Sequence, residues 1–261
     1  MEYLHIIILA IVQGLTEFLP VSSDGHLVVV DALLPGDRQA DDAAKLALNV
    51  MLHVGTLVAV VIVYWRRLLR LLGSDVWMLG KLFVAALPVA IVGLAIEAYY
   101  PGIATQPLLA GFMLVTTGVM LWASRGYLDG TTAYEQVSYR QALVIGLAQA
   151  LAPLPGLSRS GTTIVGGLMM GLRRDAAATF SFVLSVPVIG GACLLEGIKL
   201  FRHMAPGVSA GPLAVGVLVS FVVGLVALVW LLRWLARGRL HYFAWYLIPL
   251  GCAVVVWQLL D

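Results

Sequence analysis

Charge is what this sequence lacks. Asp, Glu, Lys and Arg make up 11% of it, against roughly a quarter in a soluble domain. With 61% hydrophobic residues there is too little polar side chain to coat a water-soluble fold. The apolar residues run on without alternating, which excludes a transmembrane β-barrel. Cysteine is nearly absent. Cys193 and Cys252 both lie in apolar runs, so they read as core thiols rather than as a disulfide or a metal site. The N-terminus has no basic region, so no cleavable signal is expected and the first hydrophobic segment should be retained. A formal net charge of +2 gives no reason to expect a nucleic-acid partner. What remains is a polytopic α-helical membrane protein.

Apolar runs near the ~20 residues that cross hydrocarbon occur at 46–65, 76–99, 107–122, 176–201, 213–235 and 242–260. Two other regions are broken. An apolar run at 6–12 meets a polar stretch and resumes at 27–34, and a run at 142–151 stops at Pro153 and resumes at 164–172. Pro20 ends the first of these helices, since it lacks an N–H and clashes with the preceding turn. Val21-Ser22-Ser23-Asp24-Gly25 then reads as a polar loop, and His26 opens the next run. Non-helical backbone survives at membrane depth only where protein or a water-filled cavity surrounds it. The expected fold is therefore all-α, with six transmembrane helices and two re-entrant helix hairpins.

The two broken regions also look alike. Ala10-Ile-Val-Gln13 matches Gly146-Leu-Ala-Gln149, and each is followed by a proline break, a Ser/Gly-rich loop and a short apolar segment, then a longer one. This suggests one transmembrane domain over 1–261, built from repeats at roughly 1–124 and 126–235 with a final helix at 240–260. An odd number of spans in the first repeat turns the second upside down, so the hairpins enter from opposite sides and meet near the midplane. That brings the loop of Glu17 and His26 beside the loop of Arg159. One side carries Arg66, Arg67, Arg70, Arg125, Arg140, Arg173, Arg174, Arg233, Arg237 and Arg239; the other carries Arg38, Lys45, Lys199 and Arg202. The positive-inside rule makes the first side cytoplasmic and puts the termini and the 35–42 loop outside.

Ionisable groups inside a membrane are costly and mark function by default. Gln13 and Glu17 are four apart and share a helix face. The second loop, Pro155-Gly-Leu-Ser-Arg-Ser-Gly-Thr-Thr163, combines a guanidinium, four hydroxyls and the start of a helix. Helix N-termini and glycine-rich backbone bind anions, and arginine adds a bidentate fork suited to phosphate. The competing reading is a Glu17–Arg159 ion pair between helices whose small residues merely allow close packing. His53 could line the same pocket or be a satisfied core histidine. Glu97 and Glu196 sit near span ends and are expected to reach the interface. Trp65, Trp122, Trp230, Trp234 and Trp245 fall near span ends as anchors.

These residues resemble the undecaprenyl-diphosphate phosphatases of the bacitracin-resistance type. Gln13-Gly-Leu-Thr-Glu17 with Pro20-Val-Ser-Ser-Asp-Gly-His26 is similar to that family's first motif, and Pro155–Thr163 to its second. The resemblance covers the whole chain. It implies a bacterial plasma-membrane enzyme that removes the terminal phosphate of undecaprenyl diphosphate at the outer face, recycling the carrier for cell-wall synthesis. It also implies a divalent cation, Mg²⁺ or Ca²⁺. Arg159 would clamp the phosphates; Glu17, with Gln13, would hold the cation or act as base. Ser23 or His26 would be the nucleophile or its activator. Ser22, Gly25, Ser158, Ser160, Gly161, Thr162 and Thr163 would contact substrate, while for each hydroxyl the alternative is a helix cap or a back-bond. Two positions depart from the pattern: Gln13 stands where many members carry Glu, and Asp24 where a small residue is usual. The expected partners are the lipid substrate and the bilayer, with a homodimer left open.

The main rival is a transporter or flippase that binds a prenyl phosphate at the same site without cleaving it. Type-2 phosphatidic acid phosphatases are a second rival. Those need a His and an Asp soon after the Ser-Arg loop, whereas here no histidine follows Arg159 until His203. The orientation is testable by impermeant thiol labelling in a background with Cys193 and Cys252 replaced. Asp37→Cys should label in intact cells and Thr132→Cys only after permeabilisation; the reverse pattern would invert the topology.

Overall fold

The structure, a computed structural model, describes residues 3–33, 42–100, 102–126, 130–202 and 210–260. Residues 35–41 of the aspartate-rich loop lie outside this set. The described residues form the helices α1 (Tyr3–Phe18), α2 (Ser23–Leu33), α3 (Asp42–Leu71), α4 (Val76–Tyr99), α5 (Pro107–Ala123), α6 (Tyr139–Ala148), α7 (Arg159–Met169), α8 (Arg174–Arg202), α9 (Ala210–Ala236) and α10 (Ala244–Leu260). Six of them, α3, α4, α5, α8, α9 and α10, are long and apolar enough to cross a membrane. Leu69, Phe83, Ile91, Phe112, Leu194 and Val226 point outward, as a lipid-facing surface requires.

Several boundaries differ from the sequence reading, each for a local reason. Helix α3 runs through Arg66, Arg67 and Arg70 instead of stopping at Trp65. Arginine is a good helix former, and its long stem lets the guanidinium leave the apolar zone while the backbone stays helical. Helix α6 starts at Tyr139, where Ser138 accepts from Gln141 N and the Gln141 side chain accepts from Ser138 N, a reciprocal cap. Helices α2 and α7 start at Ser23 and Arg159, so the two polar loops are shorter than expected and part of each motif is helical.

The packing has an internal order. Helix α1 lies along α9 and α6 along α4; α3 packs on α9 and α8 on α4; α3 meets α8, and α5 meets α10. Exchanging α1–α5 with α6–α10 maps this set onto itself. In both halves two short helices precede three long ones. Glycine allows the closest approaches. A Cβ on Gly14 would fall 2.9 Å from the Ser220 carbonyl oxygen of α9, and one on Gly146 would fall 2.5 Å from the Ala85 carbonyl oxygen of α4. Small residues serve this way wherever helices associate without a hydrophobic driving force.

Peripheral expectations resolve in detail. Glu97 and Glu196 both meet Lys199, which ties α4 to α8. Arg66 and Arg125 cover the rings of Trp65 and Trp122 at 5.3 and 3.7 Å, within the range of cation–π pairs. Near the C-terminal end of α3, the Arg67 guanidinium holds the Glu135 carboxyl of the 134–136 turn below the usual carboxylate range. The cysteine reading needs correction. Cys193 is half-buried and Cys252 is exposed on α10, because in a lipid-facing helix an apolar run does not imply burial.

Gly146→Ala tests the α4–α6 contact. The new methyl meets backbone that cannot rotate away, so overpacking should cost about 1–3 kcal/mol. Thermal unfolding in detergent should show a lowered midpoint; an unchanged midpoint would mean that the two helices have room to part.

Candidate active site

Two helix N-termini build the site. Helix α1 ends at Phe18, ahead of Pro20, and the chain reverses through Ser22. Ser22 is buried and has φ +69°, the only described non-glycine residue with positive φ. An L-residue in that region costs ~1–2 kcal/mol, so something must hold it there. Its Oγ accepts from Gly25 N at 3.3 Å, capping the first turn of α2, and from Gly156 N at 3.0 Å across the chain. Ser158 does the matching job for α7, accepting from Gly161 N at 3.1 Å. In both helices a serine cap is followed, three residues on, by glycine.

The loops touch through backbone. A Cβ on Gly25 would sit 2.6 Å from Gly156 Cα. Gly156 itself has φ +94°, and its own Cβ would sit 2.3 Å from the Ala110 carbonyl oxygen. Thr117 of α5 fastens the second loop by donating to the Gly156 carbonyl at 2.8 Å and accepting from Ser158 N at 3.1 Å. Gly25 thus sits where the two loops close on each other.

Ser23 and Arg159, the first residues of α2 and α7, both reach Glu17 at the end of α1. Arg159 Nη2 donates to Glu17 Oε1 at 2.6 Å. Ser23 Oγ donates to Oε2 at 2.7 Å, and Gln13 Nε2 donates to the same oxygen at 3.0 Å. The Glu17 side chain is 5% exposed and that of Arg159 13%, so this is a largely buried ion pair whose carboxylate accepts three hydrogen bonds. Two atoms beside it are not satisfied. Arg159 Nη1 and Gln13 Oε1 are buried and have no partner among the described residues.

His53 enters from α3. Its Nδ1 lies 2.9 Å from the Asn49 carbonyl, which can only accept, so Nδ1 carries the hydrogen. Its Nε2 faces Glu17 Oε2 at 3.6 Å and Asp24 Oδ1 at 3.8 Å. Asp24, half-exposed, marks the open edge of the site. His26 faces the other way. Its Nδ1 donates to the Ser22 carbonyl at 2.7 Å, and its Nε2 lies 2.8 Å from the Tyr246 hydroxyl of α10.

The other hydroxyls have protein partners. Ser160 donates to the Leu19 carbonyl at 3.1 Å, which stitches α7 to the end of α1. Thr162 and Thr163 back-bond to the Arg159 carbonyl at 2.9 and 2.8 Å, and Thr163 also meets Ser181 at 2.6 Å. Gln149, the repeat counterpart of Gln13, is elsewhere: its amide donates to the Ala85 carbonyl at 3.0 Å and helps fasten α6 to α4. Sequence reasoning missed Thr117, Ser181 and Tyr246. A lone hydroxyl inside a span carries no pattern, and a tyrosine at the start of a span reads as an interface anchor.

Chemically, the arrangement offers two helix N-termini and an unfilled guanidinium face to an anion, next to a serine hydrogen-bonded to a carboxylate. Oxygen donors for a hard cation are present in Gln13, Glu17 and Asp24. Among the described residues no three His, Cys, Asp or Glu side chains form a ready-made metal cage.

Comparison with known proteins adds the following. Residues 6–253 match the family model described as bacitracin resistance protein BacA. The chain is 43% identical to the undecaprenyl-diphosphatase of Rhodopirellula baltica over 99% of both chains. It is 35% identical to that of Halothermothrix orenii over 98% of both chains. It is 37% identical to an undecaprenyl-diphosphatase 4 of Bacillus cereus, covering 100% of this chain and 99% of that one.

Ser22 gives a test of how the loops are joined. Ser22→Ala leaves two buried N–H groups without their acceptor and should cost about 1–3 kcal/mol in detergent unfolding. Ser22→Gly loses the same acceptor but relieves the positive φ, so it should be at least as stable as Ser22→Ala. A clearly less stable Ser22→Gly protein would contradict the strained turn.

Proposed function

Because the chain belongs to the bacitracin resistance protein BacA family, we infer that it is an undecaprenyl-diphosphatase. It is a multi-pass membrane hydrolase that converts undecaprenyl diphosphate to undecaprenyl phosphate and inorganic phosphate, returning the lipid carrier to cell-wall synthesis. The observation that carries the site assignment is the Ser23–Glu17–Arg159 cluster at two convergent helix N-termini, with Arg159 Nη1 unpaired.

In this reading the terminal phosphate takes the unpaired face of Arg159 and the positive ends of α2 and α7. Phosphoryl transfer is mostly positioning and charge neutralisation, which is what such a cradle supplies. Ser23 is the nucleophile. Its Oγ bonds to the terminal phosphorus, the anhydride P–O bond breaks, and undecaprenyl phosphate departs with that electron pair. The serine proton passes to Glu17 Oε2, already hydrogen-bonded to it. Water then cleaves the phosphoserine, its oxygen leaving on inorganic phosphate, and Glu17 returns a proton to Ser23 as the P–Oγ bond breaks. His26 is less suited to attack phosphorus, since Nδ1 is held by the Ser22 carbonyl and Nε2 by Tyr246.

A divalent cation, Mg²⁺ or Ca²⁺, is part of the proposal. Gln13, Glu17 and Asp24 would hold it together with substrate phosphate oxygens, a common way for Mg²⁺ to bind without an all-protein cage. The unpaired, buried Gln13 Oε1 is the feature that fits it. Bound there, it would neutralise charge on the departing phosphate. The short helix pairs α1–α2 and α6–α7 are taken as re-entrant hairpins. The arginine asymmetry supports a substrate entry open to the outer face. A flippase would use Arg159 in the same way but has no need of a serine bonded to a carboxylate.

The test is phosphate release from undecaprenyl diphosphate by the purified protein in detergent. Wild type should turn over with Mg²⁺ or Ca²⁺ and stop on chelation. Arg159→Lys, a point charge in place of a fork, should lose on the order of 10²–10³ in kcat. Glu17→Gln and Ser23→Ala should lose nearly all turnover. Near-wild-type activity in Arg159→Lys would demote the guanidinium to a structural ion pair, and activity unaffected by chelation would remove the cation.

A further inference from the structure

Tyr246 is three residues into α10, on neither hairpin, with a half-exposed ring. Yet its hydroxyl lies 2.8 Å from Nε2 of the buried His26. The direction of that bond follows from the opposite end of the imidazole. His26 Nδ1 is 2.7 Å from the Ser22 carbonyl, which has no hydrogen to give, so Nδ1 carries the ring hydrogen. In the neutral ring Nε2 is then a bare lone pair, and the phenol must donate to it. The two rings are nearly parallel, 19° apart with centroids separated by 5.7 Å, so the ring faces are matched as well as the polar atoms.

The imidazole is therefore gripped at both ends by separate parts of the molecule. One end is fixed by Ser22, the strained residue at the turn between α1 and α2. The other is fixed by α10, whose main packing partner is α5, and α5 carries the Thr117 that fastens the second loop. His26 lies within the first turns of α2, the helix that presents Ser23 to Glu17. A ring free to turn about its bonds would loosen that presentation.

We propose that Tyr246 is a positioning residue for the phosphatase reaction: its hydroxyl donates to His26 Nε2 and thereby holds the imidazole in one tautomer and α2 in register with Glu17 and Arg159. The proposal rests on the phosphatase reading of this site. It needs the hydroxyl, not the ring. Tyr246→Phe keeps the packing and removes the donor, and a half-exposed position should leave the unfolding midpoint close to wild type.

The experiment pairs kinetics with ¹⁵N-histidine NMR, each on wild type, Tyr246→Phe, His26→Ala and the double variant. Tyr246→Phe should lower kcat on the order of tenfold with KM within about twofold, and should cost nothing further in the His26→Ala background. The His26 Nε2 resonance, assigned by its loss in His26→Ala, should move toward an unbonded lone-pair nitrogen in Tyr246→Phe while Nδ1 stays protonated. An unchanged Nε2 resonance would overturn the bond. A shifted resonance with wild-type kcat, or an equal kcat loss with and without His26, would overturn the positioning role. If wild type released no phosphate at all, the phosphatase reading would fail, while the NMR arm would still report on the Tyr246–His26 bond.

Discussion

A carboxylate buried inside a helix bundle has to be paired, and Glu17 is paired from three directions. Its two oxygens receive Arg159, Ser23 and Gln13, from α7, α2 and its own helix. Breaking a buried pair by removing one partner typically costs ~3–5 kcal/mol, because it leaves a charge with no water to receive it. The cost acts as an assembly constraint. The two broken regions, far apart in the chain, must meet at one point. The same contact that satisfies Glu17 brings the first residues of α2 and α7 together and leaves Nη1 of the guanidinium without a partner among the described residues. Structure and the proposed chemistry therefore depend on one ion pair, and its residual imbalance, an Arg159 Nη1 with no partner among the described residues, is what the proposed phosphate site rests on.

Backbone contacts make that meeting possible. Gly25 and Gly156 approach too closely for any side chain, and Ser22 bridges them with one oxygen while sitting in a conformation that L-residues avoid. Strain of this kind persists only where the surroundings over-determine it, as they do here through two hydrogen bonds and a proline-ended helix. Farther out, Gly14 and Gly146 let α1 and α6 lie against α9 and α4. The rest of the bundle is a frame that keeps two short helix pairs from sliding apart. Lys199 across α4 and α8 and the Thr117 clasp from α5 hold parts of that frame.

Much of this was legible beforehand, and particular residues show why. Glu17 and Arg159 stood out because a charge inside an apolar run has few reasons to be there. Ser22, Ser23, Ser158 and Ser160 stood out with them, but as loop hydroxyls with open roles. Their division into caps, a clasp and a carboxylate partner depends on where α2 and α7 begin, at Ser23 and Arg159, which periodicity cannot fix to a residue. His53 could not be assigned from its span, since its nearness to Glu17 is a contact between helices. Gln13 and Gln149 looked equivalent, yet one borders the site and the other holds α4. Cys252 was misread because hydrophobic neighbours along a chain mean lipid as readily as core.

The sequence by itself determined the six spans, the two interruptions and the kinds of group placed in them. Hydropathy over twenty residues and proline in a helix are local physics, readable along a line. Only the tertiary structure decided which oxygen each donor meets, that the two loops touch through glycine backbone, and that a tyrosine on the last helix reaches His26. Those outcomes depend on distances between segments far apart in the chain, set by helix packing to within an ångström. No run of residues encodes such a distance on its own.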